Sequence, residues 1–247
     1  MPSAFVPDKG INPGIVEQIA WCNGEPDWMT KIRLRSLRLF DEQPMAEWLV
    51  ANMPDIDFQD IYYCLGPEGD QILGWNELPK AESESEAIDR KYRDDLKKQG
   101  VLFCDMNTAL REYPQLVKQY FGTIISPGAN KFAALNTAVW SGGSFIYVPP
   151  GVEVEMPLQT YFQNSSESAG QFDRTLIIAD EGSKVHYIEG CSAPVYTKDS
   201  LHSAVVEIVV KPNAHVTYMT IQNWSPNVYN LVTKRARVEA GGHMKWI

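Results

Sequence analysis

Cysteine and histidine are scarce in this chain, with four of each among 247 residues. Cys22, Cys64, Cys104 and Cys191 lie far apart, which excludes a CxxC metal knuckle and a dense disulfide framework. The histidines are equally scattered, so no dedicated zinc site is expected. Clustered cations are missing too. A net charge of −9 argues against a surface for nucleic acid or an anionic membrane, both of which need grouped cations. The basic run KIRLRSLR puts Lys31, Arg35 and Arg38 on one side of a helix, which reads as a solvated face. No apolar run approaches the ~18 residues of a membrane span, and the opening MPSAFVPDKG lacks the charged and hydrophobic regions of a signal peptide. A cytoplasmic protein is expected. No GxxxxGK[ST] loop is present to cradle a nucleotide phosphate, so any ATP-driven step falls to a partner.

What the chain does have is a repeat. An apolar strand enters a tight turn and leaves it four times, in IYVPPGVEV from Ile146, IIADEGSKV from Ile177, VVKPNAHV from Val209 and RVEAGGHM from Arg237. Aligned on those turns, Val148, Ala179, Val210 and Val238 are equivalent, 31, 31 and 28 residues apart, and Val154, Val185, Val216 and Met244 keep the spacing. One such unit cannot bury its inward face alone. The period therefore predicts stacked coils of a parallel β-helix.

The first half reads as short helices. Asn12-Pro13 starts one that runs to Ala20 and stops at Asn23-Gly24, and Pro26 opens a longer one through Phe40. Residues 66–85 read as a loop, and a charged helix is expected from Glu86 to Gln99, capped at Gly100. Helical turns follow at Thr108–Glu112 and Pro114–Tyr120. The expected organisation is mostly β with an α-helical region over residues 1–123 and a β-helix core over 124–247.

Side chains in a strand switch faces at every residue, so the turn alignment sorts the strands into inward columns. Before the turns, Ser144, Thr175, Val206 and Lys234 form one column, and Gly142, Asp173, Ala204 and Val232 the next. After the turns come Met156, Tyr187, Tyr218 and Trp246, then Leu158, Glu189 and Thr220, then Thr160, Cys191 and Gln222, then Phe162, Ala193 and Trp224. Polar residues have thus collected on the face expected to be core. Asp173 and Lys234 either offset each other as a buried pair or, with Glu189, Cys191, Gln222 and Trp224, line a passage. A lone cysteine on a strand is more often a small buried hydrophobe than a nucleophile. Glu189 would raise its pKa, and a cation such as Lys234 would lower it.

The segments that carry these residues are distinctive. GQFDRTLIIADEGSKVHYIEGCSAP from Gly170, SLHSAVVE to TIQNW from Ser200 to Trp224, and NLVTKRA from Asn230 resemble the SufB family, the scaffold subunits of the SUF iron-sulfur assembly machine. KFAALNTAVWSGGSFIYVPPGVEVEMPL from Lys131 and ALREYPQLVKQYFGT from Ala109 resemble it too. The resemblance implies a helical N-terminal domain followed by a right-handed parallel β-helix. It implies that Cys191 accepts persulfide sulfur and that Gln222, Trp224 and Lys234 lie on the transfer path. Asp173 stands where many members have glutamate. The implied partners are a SufC-like ATPase, a SufD-like paralogue or a second SufB copy, and a desulfurase with its sulfur carrier. A transient iron-sulfur cluster would be built with those partners, with reduced flavin in the full complex.

Two departures from the family stand out. The family's β-helix continues beyond the strand at which Met244 to Ile247 end this chain, and a segment after GWNELPK is shorter here. The missing continuation carries the family's second functional cysteine and the helices that grip the ATPase. The sulfur-receiving half of a scaffold, rather than an enzyme, is therefore expected, with an open solenoid end that needs a partner. The rival readings are a β-helical polysaccharide lyase or hydrolase, which needs closely placed outward carboxylates, and a purely structural solenoid that would tolerate methionine at position 234.

Overall fold

The computed structural model describes residues 9–47, 56–63, 94–163, 170–192 and 200–247. The expected loop over 66–85, the start of the expected helix from Glu86 and Cys64 lie outside these; residues 94–98 are helical. Helices α1 (Pro13–Cys22) and α2 (Asp27–Glu42) form close to their expected bounds. The Asn12 side chain accepts the Ile15 N–H at the first helix's N-terminus, and Pro13 lies at its start, where a missing N–H costs nothing. Lys31, Arg35 and Arg38 are exposed on α2, as its periodicity predicts, while Arg33 turns inward to Glu25 and the carbonyls of Ala138 and Trp140.

Strand β1 (Leu102–Asp105) leads into the short helices α3 (Met106–Glu112) and α4 (Pro114–Tyr120). Past residue 124, where the β-helix core was expected to open, the chain first forms further helical elements. Residues Pro127–Ala129 form a 3-10 turn and Lys131–Val139 a helix, α5, and the parallel strands begin at Ser144. The Asn130 side chain caps α5 by accepting the Ala133 N–H.

Eight strands follow: β2 (Ser144–Val148), β3 (Leu158–Gln163), β4 (Gln171–Ala179), β5 (Lys184–Ser192), β6 (Ser200–Val210), β7 (His215–Asn223), β8 (Val228–Val238) and β9 (His243–Trp246). They alternate between two sheets, one in the order β1-β2-β4-β6-β8 and the other β3-β5-β7-β9. All pairings are parallel except that of β1 with β2.

The repeat in the sequence has a backbone cause. Each of the four turns closes with the same N–H to carbonyl bond three residues back, at Val152 to Pro149, Ser183 to Asp180, Ala214 to Lys211 and Gly242 to Glu239. The third residue of each turn has positive φ: Gly151, Gly182, Asn213 and Gly241. That conformation admits glycine freely and asparagine at small cost. The turns also stack, with Gly151, Gly182 and Asn213 each donating N–H to the next turn.

The inner faces of the two sheets pack on each other through Ile146, Ile177, Ile208, Val154, Val185 and Val216, among others. Each such aliphatic side chain contributes about 1.5–3 kcal/mol on full burial. The outer face of the five-stranded sheet is covered by helices through Met106, Leu110, Trp140, Phe145 and Ile178. For this reason β6 is buried at every position, whereas β5 alternates.

Residue pairing agrees with the turn alignment along β4 to β9, including Cys191 beside Gln222 and Val206 beside Lys234. In β3 it does not. Glu153 bridges Lys184, but Leu158 pairs with Tyr187 and Phe162 with Cys191, so two extra residues bulge out between them. Pro157 cannot donate to a ladder, and Met156 is exposed rather than inward. A two-residue insertion preserves the alternation, and Leu158 remains buried.

Candidate functional site

The six residues singled out from the sequence fall into two hydrogen-bonded groups. Cys191 and Glu189 lie two apart on β5 and share an inward face, both buried. Lys234 reaches them from β8, in the opposite sheet, and Tyr218 from β7. The Tyr218 hydroxyl donates to Glu189 Oε1 at 2.6 Å, and Lys234 Nζ donates to the same oxygen at 3.2 Å and to the Tyr218 hydroxyl at 2.9 Å. The Cys191 thiol points to that oxygen at 3.9 Å. Lys234 therefore pairs with Glu189. The alternative of an Asp173–Lys234 pair is corrected, because Asp173 has a different partner.

Burial pushes the Cys191 thiol pKa up, and the nearby carboxylates of Glu189 and Asp173 push it further, against the opposing pull of Lys234. Tyr218 is held well above the ordinary phenol range by burial and then by Glu189. Next to this group, the Tyr187 hydroxyl bonds to Ser144 at 2.8 Å, and Ser144 to Thr160 at 3.0 Å.

The second group centres on His202 of β6, which the sequence reading missed. Its Nε2 lies 3.1 Å from Asp173 Oδ2 and its Nδ1 2.7 Å from Asn230 Oδ1. The ring lies against Trp224, with centroids 4.6 Å apart. Trp224 Nε1 donates to Gln222 Oε1 at 3.2 Å, and Asn230 Nδ2 donates to the same oxygen at 2.9 Å. Indole nitrogen is donor only, which fixes the Gln222 amide and in turn Asn230. Asp173, Gln222 and Trp224 are thus joined through two residues on strands β6 and β8. Their signal in the sequence was a polar pair, His202 and Asn230, in equivalent positions of successive repeats.

Asp173 and Glu189 are buried with partners inside the chain, so neither serves as one of the outward carboxylates that a glycosidase or lyase would need. Among the described residues no group of three or more His, Cys, Asp or Glu side chains is arranged to hold a metal ion. No described helix is long and apolar enough to cross a membrane.

In this β protein of two mostly parallel sheets, Cys191, Glu189 and Asp173 are buried, Lys234 and Trp224 are half-buried, and Gln222 and Asn230 are exposed rather than inward. Comparison with known proteins identifies its relatives. Residues 161–247 match the SufBD core domain of SUF system FeS cluster assembly, and residues 85–160 match the SufBD protein N-terminal region. Iron-sulfur cluster assembly SufBD family proteins of Staphylococcus aureus (strains MRSA252 and USA300) and Staphylococcus haemolyticus (strain JCSC1435) are 46% identical over 268 residues. In each case the match covers 99% of this chain and 57% of the relative. The chain belongs to the SufBD family, and it spans little more than half the length of these relatives. The aligned stretch is longer than the chain, so the relatives carry residues within it that are absent here.

Proposed function

We propose that this chain is the sulfur-receiving part of an iron-sulfur cluster assembly scaffold of the SufB type, built as a right-handed parallel β-helix. Cys191 accepts sulfane sulfur from a desulfurase and its carrier. The groups Glu189–Lys234 and Asp173–Gln222–Trp224 then guide that sulfur toward an assembly site shared with a SufD-like subunit or a second copy. A SufC-like ATPase supplies the energy, and the cluster is cargo rather than a resident cofactor. The reading is of a cytoplasmic scaffold, not an enzyme.

The observation that carries it is the seating of Cys191. The thiol is buried in register with Gln222 and bonded into the Glu189–Tyr218–Lys234 cluster, inside the part of the chain that matches the SufBD core. The reduced flavin implied for the full complex would supply electrons there. The Cys191 cluster does not fit an isoalloxazine ring, because its aromatic neighbours Tyr187 and Tyr218 are fully buried against each other at 5.6 Å.

The test is incubation with a desulfurase and its sulfur carrier, followed by mass spectrometry of each cysteine. Persulfide is expected on Cys191 and is lost in Cys191→Ser, while Cys22→Ser, Cys64→Ser and Cys104→Ser leave acceptance intact. Equal labelling of all four cysteines that persists on the other three in Cys191→Ser would refute a specific acceptor.

A further inference from the structure

Sulfur acceptance requires the Cys191 thiol to lose a proton, yet this pocket keeps the proton on. Burial and two carboxylates oppose a thiolate at this position. A buried site also resists any step that leaves a charge unpaired. The Cys191 thiol, the Tyr218 hydroxyl and Lys234 Nζ all converge on Glu189 Oε1.

We propose that Glu189 takes the Cys191 proton as sulfur is accepted, and that Lys234 then pairs with the new persulfide anion in place of Glu189. The inference rests on Cys191 being the acceptor. The donor is a hydropersulfide, R–S–SH. Cys191 sulfur attacks its outer sulfur, so that the Cys191 S–S bond forms as the donor S–S bond breaks. The Cys191 proton moves to Glu189, and the proton of the outer sulfur leaves with the donor as R–SH. What remains is Cys191–S–S⁻ and a neutral Glu189. The donor is reduced from persulfide to thiol and Cys191 is oxidised from thiol to persulfide, with atoms and charge balanced.

The charge distribution makes this route favourable. The negative charge moves from Glu189 to the outer sulfur, and the cluster keeps the same net charge throughout. A hydropersulfide is a stronger acid than its thiol, so the product holds the anion more readily than Cys191 itself would. Lys234 Nζ lies 3.2 Å from the oxygen that faces the thiol, and an S–S bond of about 2 Å carries the anion's charge that far beyond the Cys191 sulfur. The Tyr218 hydroxyl, which touches both Glu189 and Lys234, can follow the exchange by rotating its proton.

Electrostatics alone gives the opposite expectation, which makes the proposal testable. Glu189→Gln removes a like charge beside the thiol, lowers its pKa and, without a proton role for Glu189, would speed its reactions. The experiment compares wild type, Glu189→Gln and Glu189→Asp, each as the full chain. Cysteine hydropersulfide serves as donor, persulfide on Cys191 is followed by mass spectrometry in single turnover, and iodoacetamide alkylation of the sulfur-free proteins is measured alongside. Cys191 of Glu189→Gln is expected to accept sulfur at least about tenfold more slowly than wild type, with alkylation slowed as well because it removes the same proton, and Glu189→Asp is expected to be partly restored in both. Sulfur acceptance by Glu189→Gln at the wild-type rate or faster overturns the proton role and leaves Cys191 standing as acceptor. An equal loss in Glu189→Asp and Glu189→Gln marks a structural role and also overturns it. Wild-type protein with no persulfide on Cys191 overturns both readings.

Discussion

Lys234→Met tests the buried Lys234–Glu189 pair, because methionine fits the column beside Val206 and Ala236 while removing the ammonium. At 3.2 Å the Lys234–Glu189 attraction is about 5 kcal/mol gross with an effective dielectric constant of about 20. Recovered hydration of the two ions would offset part of that if both left the site. Only the lysine leaves, however, and Glu189 remains with a side chain 5% exposed and the Tyr218 hydroxyl as its donor. Removing one partner of a fully buried pair costs about 3–5 kcal/mol, and the 17% exposure of Lys234 moves the expectation down to about 2–3 kcal/mol. For a chain of this size that lowers Tm by roughly 4–12 °C. Thermal melting and urea unfolding at neutral pH measure it. The double variant Lys234→Met/Glu189→Gln leaves no unpaired charge and is expected to recover at least about 1 kcal/mol relative to Lys234→Met. A Lys234→Met protein that melts with wild type, or strict additivity in the cycle, would refute the pairing.

Two further outcomes follow from groups outside that cluster. Glu207, buried on β6, pairs with Arg174 and accepts the backbone N–H groups of Gly122, Ile124 and Ile125, so Glu207→Ala strands four donors and is expected to cost about 3–5 kcal/mol. Urea unfolding reads this, and a loss under 1 kcal/mol would show that the turn is held otherwise. Cys104 has its pKa pushed up to about 12 by burial and then by Asp105, so iodoacetamide at pH 9 is expected to label exposed Cys22 and spare Cys104. The same raised pKa makes its contribution to stability complete below about pH 9 and progressively lost between 9 and 12. Half-maximal labelling of Cys104 near pH 9 would contradict the burial.

The fold was legible where a local rule repeated, and opaque where one strand broke it. Four turns with a left-handed residue at the same offset fixed the pairing of β4 to β9 from sequence alone. Pro157 hid the two-residue bulge before β3, because an inserted pair leaves the alternation of apolar residues unchanged. Helix α5 escaped notice because Ala133, Ala134, Leu135, Asn136, Thr137, Ala138 and Val139 are all buried, leaving no polar stripe to show a period of 3.6. Asn136 in that helix is fully buried and donates to the carbonyls of Asp173 and Ser203, a role that only the packed helix creates.

The candidate site was legible as a set of columns but not as a set of partners, and the reason is geometric. Alignment on the turns tells which residues stack along a sheet. It does not tell which column meets which across the interior. The turn itself supplies that second relation, because it folds one strand back over the next, so residues equally far before and after it should face each other. Lys234 stands four residues before Val238 and Glu189 four after Val185, two turns earlier in the stack, and at this shared level they are paired. Ser144 stands four before Val148 and Thr160, with the bulge discounted, four after Val154, and they too are bonded. Eight residues out, His202 before Val210 meets Trp224 after Val216. The same count, applied to the sequence, puts Asp173 six before Ala179 on the level of Cys191, six after Val185, rather than on the level of Lys234. The turn spacing thus favours Cys191 over Lys234 as the neighbour of Asp173, and the observed ion pair gives the ammonium beside the thiol to Glu189.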